Sequence, residues 1–217
     1  MTTILKLIPG ISEVVPHLYD ELTQKEREVF EPMFEQKLSS VEKVERPVFV
    51  HMLGIPGCGK STFIKQNMKK FENYLVIGFD DIMESIPQYH EDVLILGSVE
   101  AFKKWEIPAR IAGYELLIRA INKKVNILFD HGGSPACHVE LMKNVRTYCG
   151  YKTAIYELSC PVDVAIRRVK VREMKTKRHT PENMIRQRYE LLKNRGFEYM
   201  AVVNEYHVVS SSRHFNV

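Results

Sequence analysis

Residues 54–62 carry the strongest chemical signal of this sequence. They read Gly-Ile-Pro-Gly-Cys-Gly-Lys-Ser-Thr, which fits the phosphate-loop pattern GxxxxGK[ST], and they follow the apolar run of residues 47–53. In this pattern the glycines let backbone N–H groups point at phosphates, Lys60 reaches the β and γ oxygens, and Ser61 can ligate Mg²⁺. A strand signal before the loop and a helix signal after it favour this interpretation over an ordinary glycine-rich turn. The sequence therefore predicts a site for a nucleoside triphosphate, formed by Gly54, Pro56, Gly57, Cys58, Gly59, Lys60, Ser61 and Thr62.

Acidic residues follow the next two predicted strands. Asp80 and Asp81 come directly after an apolar run at residues 74–79, and Asp130 follows another run at residues 125–129. Ligands of open parallel sheets bind beyond the carboxyl ends of the strands, so these carboxylates should face the phosphate loop. Asp80 can accept the proton of an attacking hydroxyl or hold Mg²⁺, although an aspartate here would also cap a short helix. Asp130 is placed to face an acceptor substrate.

Asp130 also opens a DxxG pattern, which senses the γ-phosphate in GTPases. The guanine-specificity motif NKxD does not accompany it, because residues 122–125 read Asn-Lys-Lys-Val. A nucleotide-dependent switch therefore stays an alternative that the sequence favours less. The neighbouring His131 is predicted to be a loop histidine bonded to the backbone, because no metal-ligand spacing accompanies it.

Seven basic residues crowd the stretch from residue 167 to residue 178. Arg168 and Arg172 stand four apart on one face of a predicted helix, and a basic loop containing Arg178 precedes Pro181. A helix, loop and helix can close over a nucleotide as a lid at residues 168–180, where arginines neutralise charge on a transferring phosphoryl group. A solvated basic helix face is the alternative.

Composition favours a single soluble domain spanning residues 1–217, with a formal charge of +4. No apolar run reaches the roughly eighteen residues of a membrane span, and residues 1–7 lack the pattern of a secretory signal. We therefore expect a cytoplasmic protein without membrane contact. The four cysteines show no CxxC pairing, which argues against a zinc site or a disulfide framework.

Apolar runs alternate with helical patterns along the chain. Strands are predicted at residues 47–53, 74–79, 125–129, 153–159 and 206–210, and helices at residues 62–71, 108–122, 135–149, 162–173 and 181–194. Residues 12–43 are predicted to be helical, with Pro16 and Pro32 as breakers. This alternation predicts an α/β fold of the P-loop NTPase type, with a doubly wound, mostly parallel sheet covered by helices on both faces. Residues 1–45 form its helical preface and residues 46–217 its core.

These residues together resemble the zeta toxin family of P-loop kinases. The resemblance spans roughly residues 48–194 and rests on the phosphate loop, on Val-Ile-Gly-Phe-Asp at residues 76–80 followed by Pro87, and on an Arg-x-x-x-Arg before His-Thr-Pro. It implies that the γ-phosphate of ATP moves to the 3′-hydroxyl of a UDP-amino sugar, typically UDP-N-acetylglucosamine. By position Lys60 matches the phosphate lysine and Asp80 the catalytic base. The remaining matches are catalytic arginines at Arg172 and Arg178, and substrate-binding residues at Glu115, Asp130 and Arg168.

The sequence departs from the family near the acceptor. The third strand closes with Asp130 and Ser134 where the family has Glu-Gly-Thr, and Met83 stands where the wider family often has Arg or Lys. Polynucleotide 5′-hydroxyl kinases resemble a shorter stretch, chiefly the phosphate loop and residues 79–81, so transfer to nucleic acid is an alternative. The N-terminal helices could bind an antitoxin, as the family implies, or pack over the sheet edge.

Overall fold

A computed structural model describes residues 4–11, 22–176 and 180–211 of the chain. Its centre is a five-stranded parallel sheet with the strand order β2-β3-β1-β4-β5. The strands are β1 (Val48–Leu53), β2 (Tyr74–Ile77), β3 (Asn126–Gly132), β4 (Lys152–Ser159) and β5 (Glu205–Ser210). The predicted α/β class with a parallel sheet is confirmed.

Helices connect the strands and flank the sheet. The preface contains α1 (Ile4–Leu7) and α2 (Gln24–Ser39), and the core contains α3 (Lys60–Gln66), α4 (Phe79–Glu84), α5 (Pro87–Leu96), α6 (Ser98–Lys123), α7 (Cys137–Cys149), α8 (Val162–Thr176) and α9 (Glu182–Val202). A 3₁₀ turn, Met68–Phe71, follows α3, so the helix predicted at residues 62–71 is divided into two. Of the predicted preface, residues 12–21 with Pro16 lie outside the described residues.

Alternating side chains of β1 serve two cores. Phe49 faces the core formed with α6 and α7, and Val50 faces the core formed with α8 and α9, because successive strand residues point to opposite faces. Helices cover both faces, so five of the six β1 residues are buried. A central, doubly covered strand gives the loop that follows it a rigid base.

Two prolines that were expected to limit helices lie inside them instead. Pro32 lies within α2, and α6 begins at Ser98 and continues through Pro108. The prediction that Pro32 breaks a helix, and that a helix begins at Pro108, was therefore wrong. Burial of Phe30 and Phe34 on α2 shows why, since packing of an apolar face can outweigh the hydrogen bond that a proline removes.

The preface packs against the core through charged and apolar contacts. Phe30 of α2 lies edge-to-face with Trp105 of α6 at a centroid distance of 6.2 Å. Beside this contact, Arg119 of α6 bonds Glu31 of α2 at 2.5 Å. The preface thus covers α6. Among the described helices, none is both long and apolar enough to cross a membrane.

Candidate active site

The loop after β1 has the backbone geometry of a phosphate cradle. Gly54, Gly57 and Gly59 adopt φ values of 140°, 82° and 103°, in the region that favours glycine. A Cβ on Gly57 would lie 2.4 Å from the carbonyl oxygen of Ala165, so α8 leaves no room for a side chain there. This turn delivers Lys60 to the first position of α3, where helix N–H groups can face an anion.

Two contacts hold the loop in this shape. The Lys60 ammonium donates to the Gly54 carbonyl oxygen at 2.9 Å, and the Gly54 N–H donates to the Gly132 carbonyl oxygen at 3.1 Å.

Cys58 is fully buried, and burial raises the pKa of its thiol. Cys58 therefore packs beneath the loop as an apolar residue, and its sulfur is not part of a reactive surface.

One cavity of about 830 Å³ adjoins the loop and extends across the carboxyl ends of the strands. Its wall joins three groups of predicted residues: the loop and the start of α3, the aspartates that follow β2 and lie in β3, and the arginines of α8. The predicted residues in this wall are Gly54, Pro56, Gly57, Gly59, Lys60, Ser61, Thr62, Asp80, Asp130, Arg168 and Arg172. The structure thus brings most of the predicted site into one space.

Asp80 is the carboxylate of the β2–α4 junction that reaches this cavity. The helix α4 begins at Phe79 with Gly78 as its N-cap, so Asp80 and Asp81 occupy its first turn and neither is the capping residue. This corrects the predicted cap. Asp80 lines the cavity, whereas Asp81 is absent from its wall and lies near the Cα of Gly78. The first turn of α4 therefore separates the roles of two adjacent carboxylates.

Asp130 lies in β3 beside this junction. Burial raises the pKa of its carboxyl group, Lys60 opposes that change, and the negative charges of Asp81 and Asp80 add to it. One carboxylate oxygen, Oδ1, is buried without a hydrogen-bond partner in the described part of the chain. Such a group is poised to accept a hydrogen bond from a ligand, because an unpaired buried oxygen destabilises the fold.

Two further arginines belong to the cavity wall, and sequence reasoning did not assign either of them a role. Arg110 of α6 and Arg188 of α9 both line the cavity, and Arg110 bonds Glu106 one turn earlier on α6. Burial and repulsion by Arg110 lower the pKa of Arg188, while Asp80 acts in the opposite sense. Arg188 therefore lies within electrostatic range of both Arg110 and Asp80, and the two arginines bring positive charge to this part of the cavity.

The arginines of α8 that line the cavity bond to segments that follow this helix in the chain. Arg172 donates to the Thr180 hydroxyl at 3.0 Å and so joins α8 to the segment that precedes α9. Arg168 donates to the Ser211 carbonyl oxygen at 3.2 Å, and a Cβ on Gly59 would lie 3.8 Å from the Cβ of Ser211. Arg178 and the rest of residues 177–179 lie outside the described residues.

Glu115 does not line the cavity. Its carboxylate bonds Arg119 at 2.6 Å and Arg27 of α2 at 3.2 Å, on the side of α6 that the preface covers. The structure therefore places this residue, which the resemblance assigned to substrate binding, between the preface and α6. Matching a single residue to a family position does not show which face of a helix that residue occupies.

His131 lines the cavity and extends a buried group of aromatic rings. It lies within β3, so the predicted loop position is wrong, and its Nδ1 is buried without a partner in the described part of the chain. Its ring stacks on Phe129 at a centroid distance of 5.5 Å. Burial lowers the pKa of His131 well below its ordinary value, which keeps the ring neutral.

The parallel sheet, the phosphate loop after β1 and the charged cavity define a P-loop kinase fold. The family model described as Zeta toxin matches residues 32–208, and the chain belongs to this family. The predicted family membership is confirmed. No curated protein matched the chain in the comparison with curated sequences.

Solved structures share the fold at low sequence identity. One is a protein of the PezAT chromosomal toxin–antitoxin system of Streptococcus pneumoniae, with 17% identity, a TM-score of 0.64, and coverage of 89% of this chain and 79% of that one. The AvrRxo1-ORF1:AvrRxo1-ORF2 complex with ATP gives 12% identity, a TM-score of 0.67, and coverage of 93% and 68%. A candidate kinase from Chloroflexus aurantiacus gives 13% identity, a TM-score of 0.52, and coverage of 78% and 89%.

Proposed function

We propose that this protein is an ATP-dependent kinase that phosphorylates an alcohol hydroxyl of an anionic small molecule. The observation that carries the proposal is that one cavity is lined by Asp80, by Lys60 and by the arginine pair Arg110 and Arg188. A cavity that bound only a nucleotide could use Asp80 to hold Mg²⁺, but it would not need the arginine pair.

The residues divide the reaction between them. Lys60 and the loop hold the terminal phosphates of ATP, and Arg172, with Arg178 as the family resemblance implies, neutralises charge on the transferring group. The acceptor hydroxyl oxygen forms a bond to the γ-phosphorus while the bond from that phosphorus to the β,γ-bridging oxygen breaks, and ADP leaves. Asp80 takes the hydroxyl proton. Closure of residues 168–180 over the cavity would exclude water and limit wasteful hydrolysis.

Ser61 and Asp80 are the residues that would hold Mg²⁺. Both line the cavity, and a hydroxyl with a carboxylate is the oxygen donor set that this ion prefers. When bound, the ion supplies positive charge to the phosphate oxygens. Asp80 is then both a ligand, through water, and the acceptor of the hydroxyl proton.

We propose a UDP-amino sugar such as UDP-N-acetylglucosamine as the acceptor, because the family resemblance implies it and charged residues line the cavity. Arg110 and Arg188 can pair with its diphosphate, and the unpaired Oδ1 of Asp130 can accept from a sugar hydroxyl or amide. Such a nucleotide sugar and ATP both belong to the cytoplasm, where we propose that the enzyme acts. By analogy with its toxin–antitoxin neighbours, an antitoxin is its proposed protein partner.

The experiment supplies ATP and Mg²⁺ with a panel of UDP-sugars, nucleosides and 5′-hydroxyl oligonucleotides, and detects a phosphate-sized mass gain. We expect a phosphorylated UDP-amino sugar from the wild-type protein and none from Asp80→Asn. Transfer to the oligonucleotide alone would identify a polynucleotide kinase instead. Nucleotide binding without transfer to any acceptor of the panel would overturn the proposal in favour of a switch.

A further inference from the structure

Three histidines from separate elements meet behind the cavity wall. His51 comes from β1, His131 from β3, and His138 from the first turn of α7. One ring nitrogen from each residue can be chosen so that all three lie within 4.8 Å of one another. The centroids of the His131 and His138 rings are 4.3 Å apart, and those of His51 and His138 are 5.4 Å apart.

These rings lack hydrogen-bond partners to an unusual degree. His51 and His138 are both fully buried, and both nitrogens of His51 and the Nδ1 atoms of His131 and His138 have no partner within the described ranges. Leaving a buried polar group unpaired costs about 1–3 kcal/mol, so four such nitrogens at one point call for a ligand.

One nitrogen of the cluster is held by a neighbour. The Nε2 of His138 lies 2.9 Å from the hydroxyl oxygen of Tyr114 on α6. If this nitrogen donates to the tyrosine, the unpaired Nδ1 is left with its lone pair directed elsewhere. Histidines that bind metals usually engage their second nitrogen in this manner, which fixes the ring and its tautomer.

We propose that His51, His131 and His138 bind one divalent transition-metal ion, with Zn²⁺ as the ion that best suits three imidazole nitrogens. Bonds of about 2.0–2.1 Å to a tetrahedral Zn²⁺ place the nitrogens roughly 3.4 Å apart, so small ring rotations close the site from its present spacing. His131 also lines the cavity, and water from the cavity can provide the fourth ligand. This site is separate from the Mg²⁺ position, since Mg²⁺ prefers oxygen ligands.

The ion would tie three elements together at the end of the sheet. It would join β1, which precedes the phosphate loop, to β3, which carries Asp130, and to α7. Binding would thus stabilise the strand ends from which the cavity is built, whatever reaction takes place there. The inference does not rest on the proposed kinase activity.

Calorimetric titration of chelator-treated protein with Zn²⁺ tests the site. We expect one Zn²⁺ per chain in the wild type and at least about a tenfold loss of affinity in His131→Gln and His51→Gln, since each removes a ligand. Tyr114→Phe, which removes only the contact to Nε2, should weaken binding about 10–100-fold. His90→Gln is the matched control, because His90 is exposed on α5 and should bind as the wild type does.

X-ray absorption at the zinc edge of the loaded wild type gives a result that does not depend on variant folding. Three imidazole ligands would support the site, as would a thermal unfolding midpoint that rises with Zn²⁺ in the wild type and in His90→Gln. A folded wild type that takes up no Zn²⁺ at one equivalent, or that binds through oxygen or sulfur, would overturn the proposal. The cluster would then be filled by buried water alone.

Discussion

The two ends of the cavity are built in opposite ways. The nucleotide end comes from one continuous segment, residues 54–62, in which both the backbone N–H groups and the lysine side chain can contact phosphate. The end that we propose for the acceptor is assembled from single residues on three helices, with Asp80 on α4, Arg110 on α6 and Arg188 on α9. The phosphate loop is thus a continuous motif, whereas the proposed acceptor end depends on the packing of separate helices.

This difference determines how well each end of the cavity should tolerate substitution. The loop must keep its spacing because all three glycines have positive φ values, and close contacts leave no room for a side chain at Gly54 or Gly57. The acceptor wall can change one residue at a time without disturbing a backbone shape. Substrate choice should therefore depend on the acceptor end, and nucleotide binding on the loop.

The largest effect is expected from the carboxylate that lies between the two ends. Asp80→Asn should lower the transfer rate about 10²–10⁴-fold, because a general base is lost, while nucleotide binding is retained. Asp81→Asn is the matched control, since Asp81 is its chain neighbour but does not line the cavity. Equal losses in both variants, measured as single-turnover rates, would show that α4 does not separate their roles.

A smaller effect should distinguish the two cationic ends. Arg188→Met should raise the acceptor KM about 10–100-fold, as expected for the loss of a charge-assisted hydrogen bond, and leave the ATP KM unchanged. Lys60→Ala should raise the ATP KM instead. Arg186→Met is the control on α9, because Arg186 pairs with exposed Glu182 and Asp163. An Arg188 variant that alters only the ATP KM would contradict the assignment of Arg188 to the acceptor end and Lys60 to the nucleotide end.

Removal of the Asp130 charge should separate stability from activity. The folded-state pKa of Asp130 is raised by burial, so its ionised form destabilises the fold at neutral pH, and Asp130→Asn should gain about 1 kcal/mol while losing acceptor affinity. The gain should vanish as the pH falls below the ordinary pKa of aspartate, where the carboxyl is protonated in both states. Urea unfolding of both proteins at pH 7 and pH 3 measures this. A variant less stable than the wild type at pH 7 would refute it.

The smallest effect is expected at Glu115. Glu115→Gln should cost about 0.5–1 kcal/mol of unfolding free energy, because its partly exposed ion pairs join α2 to α6, and should leave the acceptor KM unchanged. Thermal unfolding and steady-state kinetics of the same preparation measure both quantities. An acceptor KM raised tenfold with stability unchanged would return Glu115 to the substrate site.

The sequence predicted the strands well because their signal is local. Each apolar run became a strand of the sheet, and a motif that lies between a strand and a helix identified the nucleotide end. The helix α5 was not predicted, since its apolar residues Leu94 and Ile95 are largely exposed and give no buried stripe. The predictions of a helix break at Pro32 and a helix start at Pro108 were wrong because tertiary packing, which stabilises α2 and α6, is not visible in a local sequence pattern.

The site residues that come from separate elements were not predicted, because only tertiary packing brings them together. Arg110 is an ordinary charged residue in a helical pattern until α9 brings Arg188 beside it. Likewise, His51, His131 and His138 show no metal-ligand spacing, because strand pairing and the packing of α7 unite them. Only the parallel order of the sheet, which determines which ends are neighbours, could have pointed to such groups.

The most direct test of the account follows the γ-phosphoryl group itself. ATP carrying heavy oxygen isotopes in this group is incubated in single-turnover amounts with the wild-type protein, Mg²⁺ and UDP-N-acetylglucosamine, and the label is located by mass spectrometry. The account predicts that the labelled phosphoryl group appears on the acceptor and that little appears as inorganic phosphate. Label found only in inorganic phosphate, or retained in ATP that is demonstrably bound, would contradict the claim that one cavity joins nucleotide and acceptor through Asp80.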